Sequence, residues 1–360
     1  MKTLFKYRPL SEFLFKELYY QELYFASYFE LNDPLDLSAR IEFSCEKSEQ
    51  VEYLIYFLFK TTLSLTDALT ENQRQNNKHL LAFNDNKSKV AEFQETVFEY
   101  INQLKGERER IWDIDIENII DSAAQKHNLE FQFDLENFKS ELKRITSKFL
   151  ENSYATCFSE SNDDFLMWSH YSSKHSGICL EFALENSGLF PYVGKPQRKL
   201  DYEKHKERIS KWDLETHMYW DRIKKVNYES EQPFINFFEF SPVFENEHDC
   251  DLIGLSKPWT HHFAHQLEWV FSTKTAPWKY EKEWRAIEIN FGEPKEPEER
   301  IRHYPLESLK AIYFGMRTPD NAKNRIYNIF SRQHEELKYY ECKPTNGKDL
   351  EFIEWEYYEE

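Results

Sequence analysis

The residue types best suited to chemistry stand in the string WKYEKEWR, residues 278–285. On a strand, Glu281 and Glu283 would project from the same face and Lys282 from the other. Paired carboxylates beside Tyr and Trp suit general-base work or the stabilisation of a cationic transition state. The same spacing also fits a surface ladder of charges in which Arg285 pairs with Glu283. Both interpretations stay open at this stage.

A second group of candidates lies in the string MWSHY, residues 167–171. Trp168 and Tyr171 are three residues apart on a predicted helix, which is the spacing of residues packed on a core. The alternative is a stacking platform for a base or a nicotinamide ring.

Arg8 is a third candidate, because it stands in an otherwise aromatic first strand. A buried guanidinium needs an anionic partner. That partner could be Asp33 or Asp36, or it could be a ligand phosphate. Asn32, Asp33 and Asp36 also have the composition of a turn, since their side chains bond local backbone groups and Pro34 fixes a φ angle.

The chain has only eight glycines, and their positions exclude several nucleotide and hydrolase motifs. Neither G-x-G-x-x-G nor G-x-x-x-x-G-K-[ST] can be drawn from them, and no G-x-S-x-G is present. H-E-x-x-H is absent as well. His261, His262 and His265 form the densest histidine cluster, but no complete set of metal ligands accompanies them. We therefore predict no metal site.

Composition indicates a packed globular protein of 360 residues, 17% of them aromatic. With 46 Lys and Arg against 64 Asp and Glu, the net charge is −18, which argues against general nucleic-acid binding. The five scattered cysteines do not suggest a disulfide framework. The first residues lack a long apolar region, and the most apolar stretch, 53–59, is too short to cross a bilayer. A soluble, cytoplasmic protein without membrane contact is expected.

The pattern of elements predicts an α+β fold with a mixed or antiparallel sheet, which could be split, and two large helical insertions. Apolar residues recur at three and four positions in 40–150, which hold one glycine and no proline. That segment is the first predicted insertion, with an exposed loop within 71–89. The second is 200–225, helical to about Lys225. Residues 1–38, 151–199 and 226–360 form the predicted core.

Several strings together resemble the bacterial family called domain of unknown function 2971. They cover about 110 residues in the order expected for that family, and its name implies no activity. The strings are LFKYRPL, LYFAS with LNDPLD, TCFSES with MWSHYSSKHSGICLEF, KVNY, K-x-x-x-W-x-Y-E-x-E-W-R at 274–285, and AIYFG. The helical segments at 40–150 and 200–270 are larger than the resemblance leads us to expect.

The order strand-Arg, strand-Ser, Glu-x-Glu is also similar to that of ADP-ribosyltransferases. This resemblance implies NAD as the substrate, with Arg8 on its phosphate or ribose and Ser159 supporting the nicotinamide side. It implies that Glu283 is the catalytic glutamate and that Glu281 positions the acceptor. With Asn32, Asp33, Trp168 and Tyr171 these residues make up the predicted site. An ADP-ribosyltransferase or an NAD glycohydrolase, acting in bacterial defence or as a toxin, is the resulting hypothesis.

Two other classes stay open. One is a metal-dependent nuclease or phosphoesterase that uses Asp33, Asp36, Glu281 and Glu283, with a catalytic lysine at 274 or 282. The other is a non-enzymatic sensor or interaction module in phage defence, which would bind a protein partner through the helical insertions.

Overall fold

A computed structural model describes residues 2–63, 68–184, 223–238, 267–289, 294–345 and 350–357. The chain divides into two units. The first contains 1–37, 151–231 and 272–360, and the second contains 38–150 and 232–271. The core predicted from the sequence included all of 226–360, whereas residues 232–271 belong to the second unit.

The helices and strands have the following bounds. The helices are α1 (Glu12–Tyr20), α2 (Ser48–Thr62), α3 (Glu71–Asn84), α4 (Lys87–Glu107), α5 (Asp113–Lys126), α6 (Leu135–Glu151), α7 (Phe165–Tyr171) and α8 (Asp320–Phe330). The strands are β1 (Lys2–Arg8), β2 (Glu22–Tyr24), β3 (Ala26–Ser27), β4 (Arg40–Glu42), β5 (Ser153–Ser159), β6 (Ile178–Leu184), β7 (Ile223–Lys225), β8 (Asn227–Glu229), β9 (Phe234–Asn236), β10 (Thr273–Thr275), β11 (Glu283–Ile289), β12 (Ile301–His303), β13 (Leu309–Phe314), β14 (Lys338–Pro344) and β15 (Leu350–Glu354).

The first unit is built on a nine-stranded sheet in the order β15-β14-β13-β6-β1-β5-β11-β7, with β3 also paired to β5. The β13–β14 pair is parallel, and the other pairs of this sheet are antiparallel. The sheet is therefore mixed, and the prediction of an α+β fold is confirmed. The central strands are buried on both faces, which is why β6 reads as the nearly continuous apolar run ICLEFAL.

The two faces of this sheet carry different side chains. On one face, Phe158 and Phe182 pack in a core with residues of α1 and α8, among them Leu14 and Ile326. On the other face, α7 covers the sheet with Met167 and Trp168, which pack on Tyr7 and Cys179. The candidate site lies on this second face.

Local signals in the sequence account for the first helix and only partly for the last. Serine is a common helix-capping residue, and Ser11 caps α1 by accepting a hydrogen bond from the Leu14 backbone N–H. Thr318 is also a residue type that favours a helix cap, but Pro319 occupies the N-cap of α8. The Thr318 hydroxyl instead donates to the Gly177 carbonyl at 2.7 Å.

The second unit holds the helices α2 to α6 and the parallel strand pair β4–β9. Its buried core is rich in phenylalanine, with Phe57, Phe93 and Phe138 each almost fully buried. The exposed loop predicted within 71–89 is limited to residues 85–86, because α3 and α4 fill the rest of this segment. Thr70 and Gln73 form a capping box that starts α3 in spite of its polar composition.

Most of the second predicted insertion, 200–222, lies outside the described residues, as do His261, His262 and His265. The described end of that insertion is not helical. Ile223–Lys225 form the edge strand β7, which pairs with β11. Among the described helices, none combines the length and the apolar character needed to cross a membrane.

Candidate functional site

Five charged side chains of the first unit meet on the α7 face of the sheet and are almost fully buried. They are the carboxylates of Asp36, Glu281 and Glu283 and the cations of Lys274 and Arg285. Each of the five residues is at most 4% exposed. The interpretation that Glu281, Glu283 and Arg285 lie on the surface is therefore wrong, although Arg285 does pair with Glu283 as that interpretation expected.

Arg285 has no exposed surface, and its guanidinium is bonded to two carboxylates. Its two terminal nitrogens each donate to one oxygen of Asp36 at 2.7 Å, a bidentate arrangement. Its Nε donates to Glu283 Oε1 at 2.6 Å. These charges raise the pKa of Arg285 well above its ordinary value in spite of the desolvation that opposes it.

Lys274 lies between all three carboxylates of the cluster. Its ammonium is 2.7 Å from Glu281, 3.4 Å from Glu283 and 3.5 Å from Asp36. The indole ring of Trp278 lies 4.6 Å from the same nitrogen, as in a cation–π contact. Burial lowers the pKa of Lys274, but Glu283 and then the other carboxylates raise it more, so the lysine is held charged.

Glu281 and Glu283 reach this cluster by a backbone turn and not by alternation on one strand, as the sequence predicted. Glu281 is the last residue of a 3₁₀ helix, Ala276–Glu281, that has a proline in its first turn. Lys282 then adopts a left-handed conformation with φ 47°, and the strand begins at Glu283. This turn places both carboxylates against Lys274 while the Lys282 side chain is exposed.

The cluster holds one carboxylate more than it holds cations, so its charge with all groups ionised is 2 − 3 = −1. Burial, the largest effect, and the neighbouring Glu283 raise the pKa of Glu281 to about 7, although Lys274 opposes the shift. Burial would also raise the pKa of Glu283, but Arg285 and then Lys274 hold it far below its usual range. Two adjacent carboxylates therefore have pKa values pushed apart, a pattern of acid–base sites.

A chain of hydrogen bonds leads from Glu281 to the surface. The Tyr171 hydroxyl donates to Glu281 Oε1, and the Asn32 amide donates to that hydroxyl at 2.8 Å. Tyr171 is half-buried and Asn32 is exposed. Asp164 caps α7 by accepting from the N–H groups of Leu166 and Met167, which fixes the start of the helix that carries Tyr171.

Three more polar groups position the two glutamates. The Ser159 hydroxyl donates to the Glu281 carbonyl at 2.7 Å, and the Glu283 N–H donates to the Tyr228 hydroxyl at 2.8 Å. The Cys157 thiol hydrogen-bonds the Glu283 carboxylate, and burial followed by this carboxylate raises the pKa of Cys157. Sequence reasoning did not single out Tyr228 or Cys157, although both lie in the strings KVNY and TCFSES.

Arg8 does not join this cluster. In the sheet, Phe5 lies opposite Ser159, which lies opposite Glu283, so these three residues share the α7 face. Arg8 is three positions beyond Phe5 and faces the other side. There it donates to both carboxylate oxygens of Glu17, so its partner is neither Asp33 nor Asp36, the carboxylates proposed from the sequence.

The structure gives Trp168 and Asp33 surroundings that differ from those predicted for the site. It brings together the other predicted residues of this face, which are Asn32, Ser159, Tyr171, Glu281 and Glu283. Trp168 is fully buried, and its ring packs edge-on against Tyr7, which is the core role considered for it. Asp33 is 4% exposed and accepts from the Leu35 N–H at 2.9 Å, as in the predicted turn.

No group of three or more His, Cys, Asp and Glu side chains among the described residues is arranged to hold a metal ion. The carboxylates that the metal hypothesis would use are arranged differently. Asp36, Glu281 and Glu283 surround Lys274, and Asp36 and Glu283 also bind Arg285, so protein cations occupy the space between them.

Comparison with known families agrees with the resemblance noted in the sequence. The model of a family described as a protein of unknown function, DUF2971, matches one segment of the chain, residues 167–286. It contains Tyr171, Lys274, Glu281, Glu283 and Arg285, whereas Asn32 and Asp36 lie outside it. No curated protein and no solved structure matches the chain, and the resemblance to ADP-ribosyltransferases receives no support from the comparisons.

Proposed function

We propose that this chain cleaves the N-glycosidic bond of a nicotinamide dinucleotide, as an NAD glycohydrolase or an ADP-ribosyltransferase-like enzyme, with Glu281 as the general base. The observation that carries the proposal is the pair of buried carboxylates with separated pKa values. Glu281 changes protonation at about pH 7 and contacts the half-buried Tyr171, while Glu283 stays ionised.

The roles of the two glutamates differ from those implied by the ADP-ribosyltransferase resemblance. Both oxygens of Glu283 are bonded to Arg285, and Lys274 lies 3.4 Å from one of them. A carboxylate saturated in this way positions cations and has little capacity left to stabilise a cationic sugar. Glu281 is bonded to one cation and to one hydroxyl that leads outward, so it is the better candidate for contact with substrate.

Aromatic rings near Glu281 favour a substrate with a planar base. Tyr171, Trp278 and Tyr280 are half-buried, and His170 on α7 is exposed. The rings of Trp278 and Tyr280 lie 6.2 Å apart, and those of His170 and Tyr280 lie 6.4 Å apart. Partly exposed rings of this kind stack on bases at about 1–3 kcal/mol for each base.

The proposed reaction transfers one proton, breaks the carbon–nitrogen glycosidic bond and forms one carbon–oxygen bond. Ionised Glu281 accepts a proton from a water molecule or from an acceptor hydroxyl. The oxygen of that nucleophile bonds to the anomeric carbon of the ribose. The carbon–nitrogen bond breaks, and its electron pair stays on nicotinamide, which leaves as a neutral molecule. The sugar has oxocarbenium-like positive charge while the carbon–nitrogen bond breaks and before the carbon–oxygen bond is complete. The excess negative charge of the cluster stabilises this cation.

Arg8 lends no support to this proposal, because it binds Glu17 on the other face of the sheet and does not offer a phosphate site here. The metal-dependent alternative has less support than the glycosidic one, since Lys274 and Arg285 occupy the centre of the carboxylate cluster. A sensor module stays the second candidate, with the buried charges as a structural element.

The test is release of nicotinamide from NAD by the purified full chain, measured at pH 8 with and without cell lysate as a source of acceptors. Glu281→Gln keeps the shape of the side chain and removes the base, so we expect turnover to fall roughly 10²–10⁴-fold. Glu351→Gln removes the same charge from an exposed position on β15 and should leave turnover unchanged.

Release at the wild-type rate from Glu281→Gln would contradict the assignment of the base. If the wild type releases no nicotinamide under either condition, the glycosidic proposal is wrong, and the sensor hypothesis gains support.

A further inference from the structure

A row of half-buried aromatic rings crosses the α7 face of the sheet next to the candidate site. We call Phe5, Tyr313, Tyr340 and Phe352 the aromatic shelf. The Tyr313 and Tyr340 rings are stacked with centroids 5.0 Å apart, Phe5 meets Tyr313 edge-on at 6.2 Å, and Phe352 meets it at 5.0 Å. All four are partly exposed, in contrast to the buried residues of the core on the opposite face.

Glu181 stands in the middle of this shelf. It lies opposite Phe5 in the β1–β6 pair, so the two side chains share a face. The Tyr313 hydroxyl donates to its Oε2 at 2.5 Å. Within the described part of the chain, Oε1 makes no hydrogen bond, so one carboxylate oxygen can still accept from a ligand.

The shelf and the Glu281 site are joined by the register of the sheet. Glu283, Ser159, Phe5 and Glu181 follow one another across β11, β5, β1 and β6. Neighbouring strands lie about 4.8 Å apart, so Glu181 is about 14 Å from Glu283 along this row. A mononucleotide is too short to place a ring at both positions, whereas a dinucleotide carries one ring at each end.

We infer that the aromatic shelf binds the adenine of an adenine dinucleotide, with Glu181 Oε1 accepting a hydrogen bond from the exocyclic amino group. This inference rests on the proposed function, because it takes the bond cleaved at Glu281 to lie at the other end of the same molecule. It adds to that function a site that selects the adenine end of the substrate.

The chemistry of the shelf favours adenine over other planar groups. Adenine presents an N–H donor at position 6, which a carboxylate oxygen accepts. Hypoxanthine presents a carbonyl oxygen at that position, which a carboxylate repels. The stacked Tyr313 and Tyr340 rings supply a surface for the base, since stacking on aromatic side chains does not depend on hydrogen bonding.

The test is isothermal titration of the full chain with AMP and with IMP, which differ at the base position that Glu181 would contact. We expect AMP to bind at least about tenfold more tightly than IMP, the scale of one hydrogen bond to a charged group. Glu181→Gln should remove this preference, because the amide can serve both bases. Glu351→Gln removes a charge from the opposite face of β15 and should leave the preference intact.

Tyr340→Leu provides a second variant that leaves the carboxylate in place. It should weaken AMP and IMP alike by roughly tenfold, because both lose the same stacking surface. The inference is overturned if AMP does not bind, if it binds no better than IMP, or if the preference survives Glu181→Gln.

These results are separable from those on the proposed function, since AMP contains no nicotinamide. Selective AMP binding by a chain that releases no nicotinamide would support the shelf and contradict the glycosidic reaction. Nicotinamide release by a chain that does not prefer AMP to IMP would support the glycosidic reaction and contradict adenine binding at the aromatic shelf.

Discussion

The ammonium of Lys274 lies 2.7 Å from the carboxylate of Glu281, and both groups are buried in a cluster where carboxylates outnumber cations. Glu283 and Asp36 are also bonded to Arg285, so the excess negative charge falls on Glu281. This arrangement explains why Glu281 holds its proton to about pH 7 and why its neighbour does not.

The first prediction concerns stability and pH. The pKa of Glu281 is 4.5 in the unfolded chain and about 7 in the folded protein, so folding takes up a proton between these values. The stabilisation is complete below about pH 4.5 and is lost as the pH rises through about 7. Relative to Glu281→Gln, which mimics the protonated acid at every pH, the wild type should lose on the order of 3 kcal/mol over this range.

Urea denaturation at intervals from pH 4.5 to pH 8 measures this difference between the two proteins. If the two proteins differ in their free energy of unfolding by the same amount at every pH, folding does not raise the pKa of Glu281.

The second prediction concerns Glu283→Gln, which removes a carboxylate from between two buried cations. Breaking a buried ion pair leaves uncompensated charge, and the cost is about 3–5 kcal/mol. The free energy of unfolding from urea titration at pH 7 should fall by this amount, and Glu281→Gln should cost far less. If both variants lower the free energy of unfolding equally, the claim that the excess negative charge falls on Glu281 and not on Glu283 is wrong.

The third prediction concerns Tyr171, whose hydroxyl stabilises the ionised form of Glu281 by donating to it. Tyr171→Phe should therefore raise the pKa of Glu281 above about 7. Carbon-13 NMR of the labelled glutamate carboxyls follows this pKa directly and requires no activity. Tyr19→Phe removes a hydroxyl from an exposed tyrosine on α1 and should leave the titration unchanged. An unaltered titration in Tyr171→Phe would show that the hydroxyl has no influence on Glu281.

The fourth prediction concerns Gly177, which follows the loop after α7. A Cβ at this position would lie 2.2 Å from the Arg8 carbonyl oxygen, so the backbone of β1 would have to move. Gly177→Ala should lower the free energy of unfolding by about 1–3 kcal/mol or more. Gly106→Ala is the control, because nothing lies within 4 Å of its added Cβ; in α4 it should stabilise by up to about 1 kcal/mol. Thermal denaturation distinguishes the two, and a neutral Gly177→Ala would mean that this close approach is relieved at no cost.

Local sequence patterns predicted much of the fold. Strand β1, the cap at Ser11 and the helix carrying Tyr171 follow from patterns within a few residues. The left-handed Lys282 could not be predicted, because a positive φ at a lysine has no local signal. The grouping of 232–271 with the second unit and the strand β7 depend on long-range pairing, which no local pattern indicates.

The candidate site was predicted in part, for a related reason. Residue types pointed to Glu281, Glu283, Tyr171 and Asn32, and the structure brings these four together. The pairing of Asp36 with Arg285 joins positions 249 residues apart, so no local pattern could indicate it. Arg8 was wrongly included in the site, because the sequence does not show which face of β1 meets the glutamates. Phe5 is on that face, and strand alternation places Arg8 on the opposite face.

The most direct test of the central claim is the pH dependence of nicotinamide release from NAD in a single turnover. If ionised Glu281 is the base, the rate should rise with pH through about 7 and then level off, and Tyr171→Phe should move this rise to higher pH. A wild-type rate that does not change between pH 5 and pH 9, or a rise that persists at full rate in Glu281→Gln, would contradict the claim.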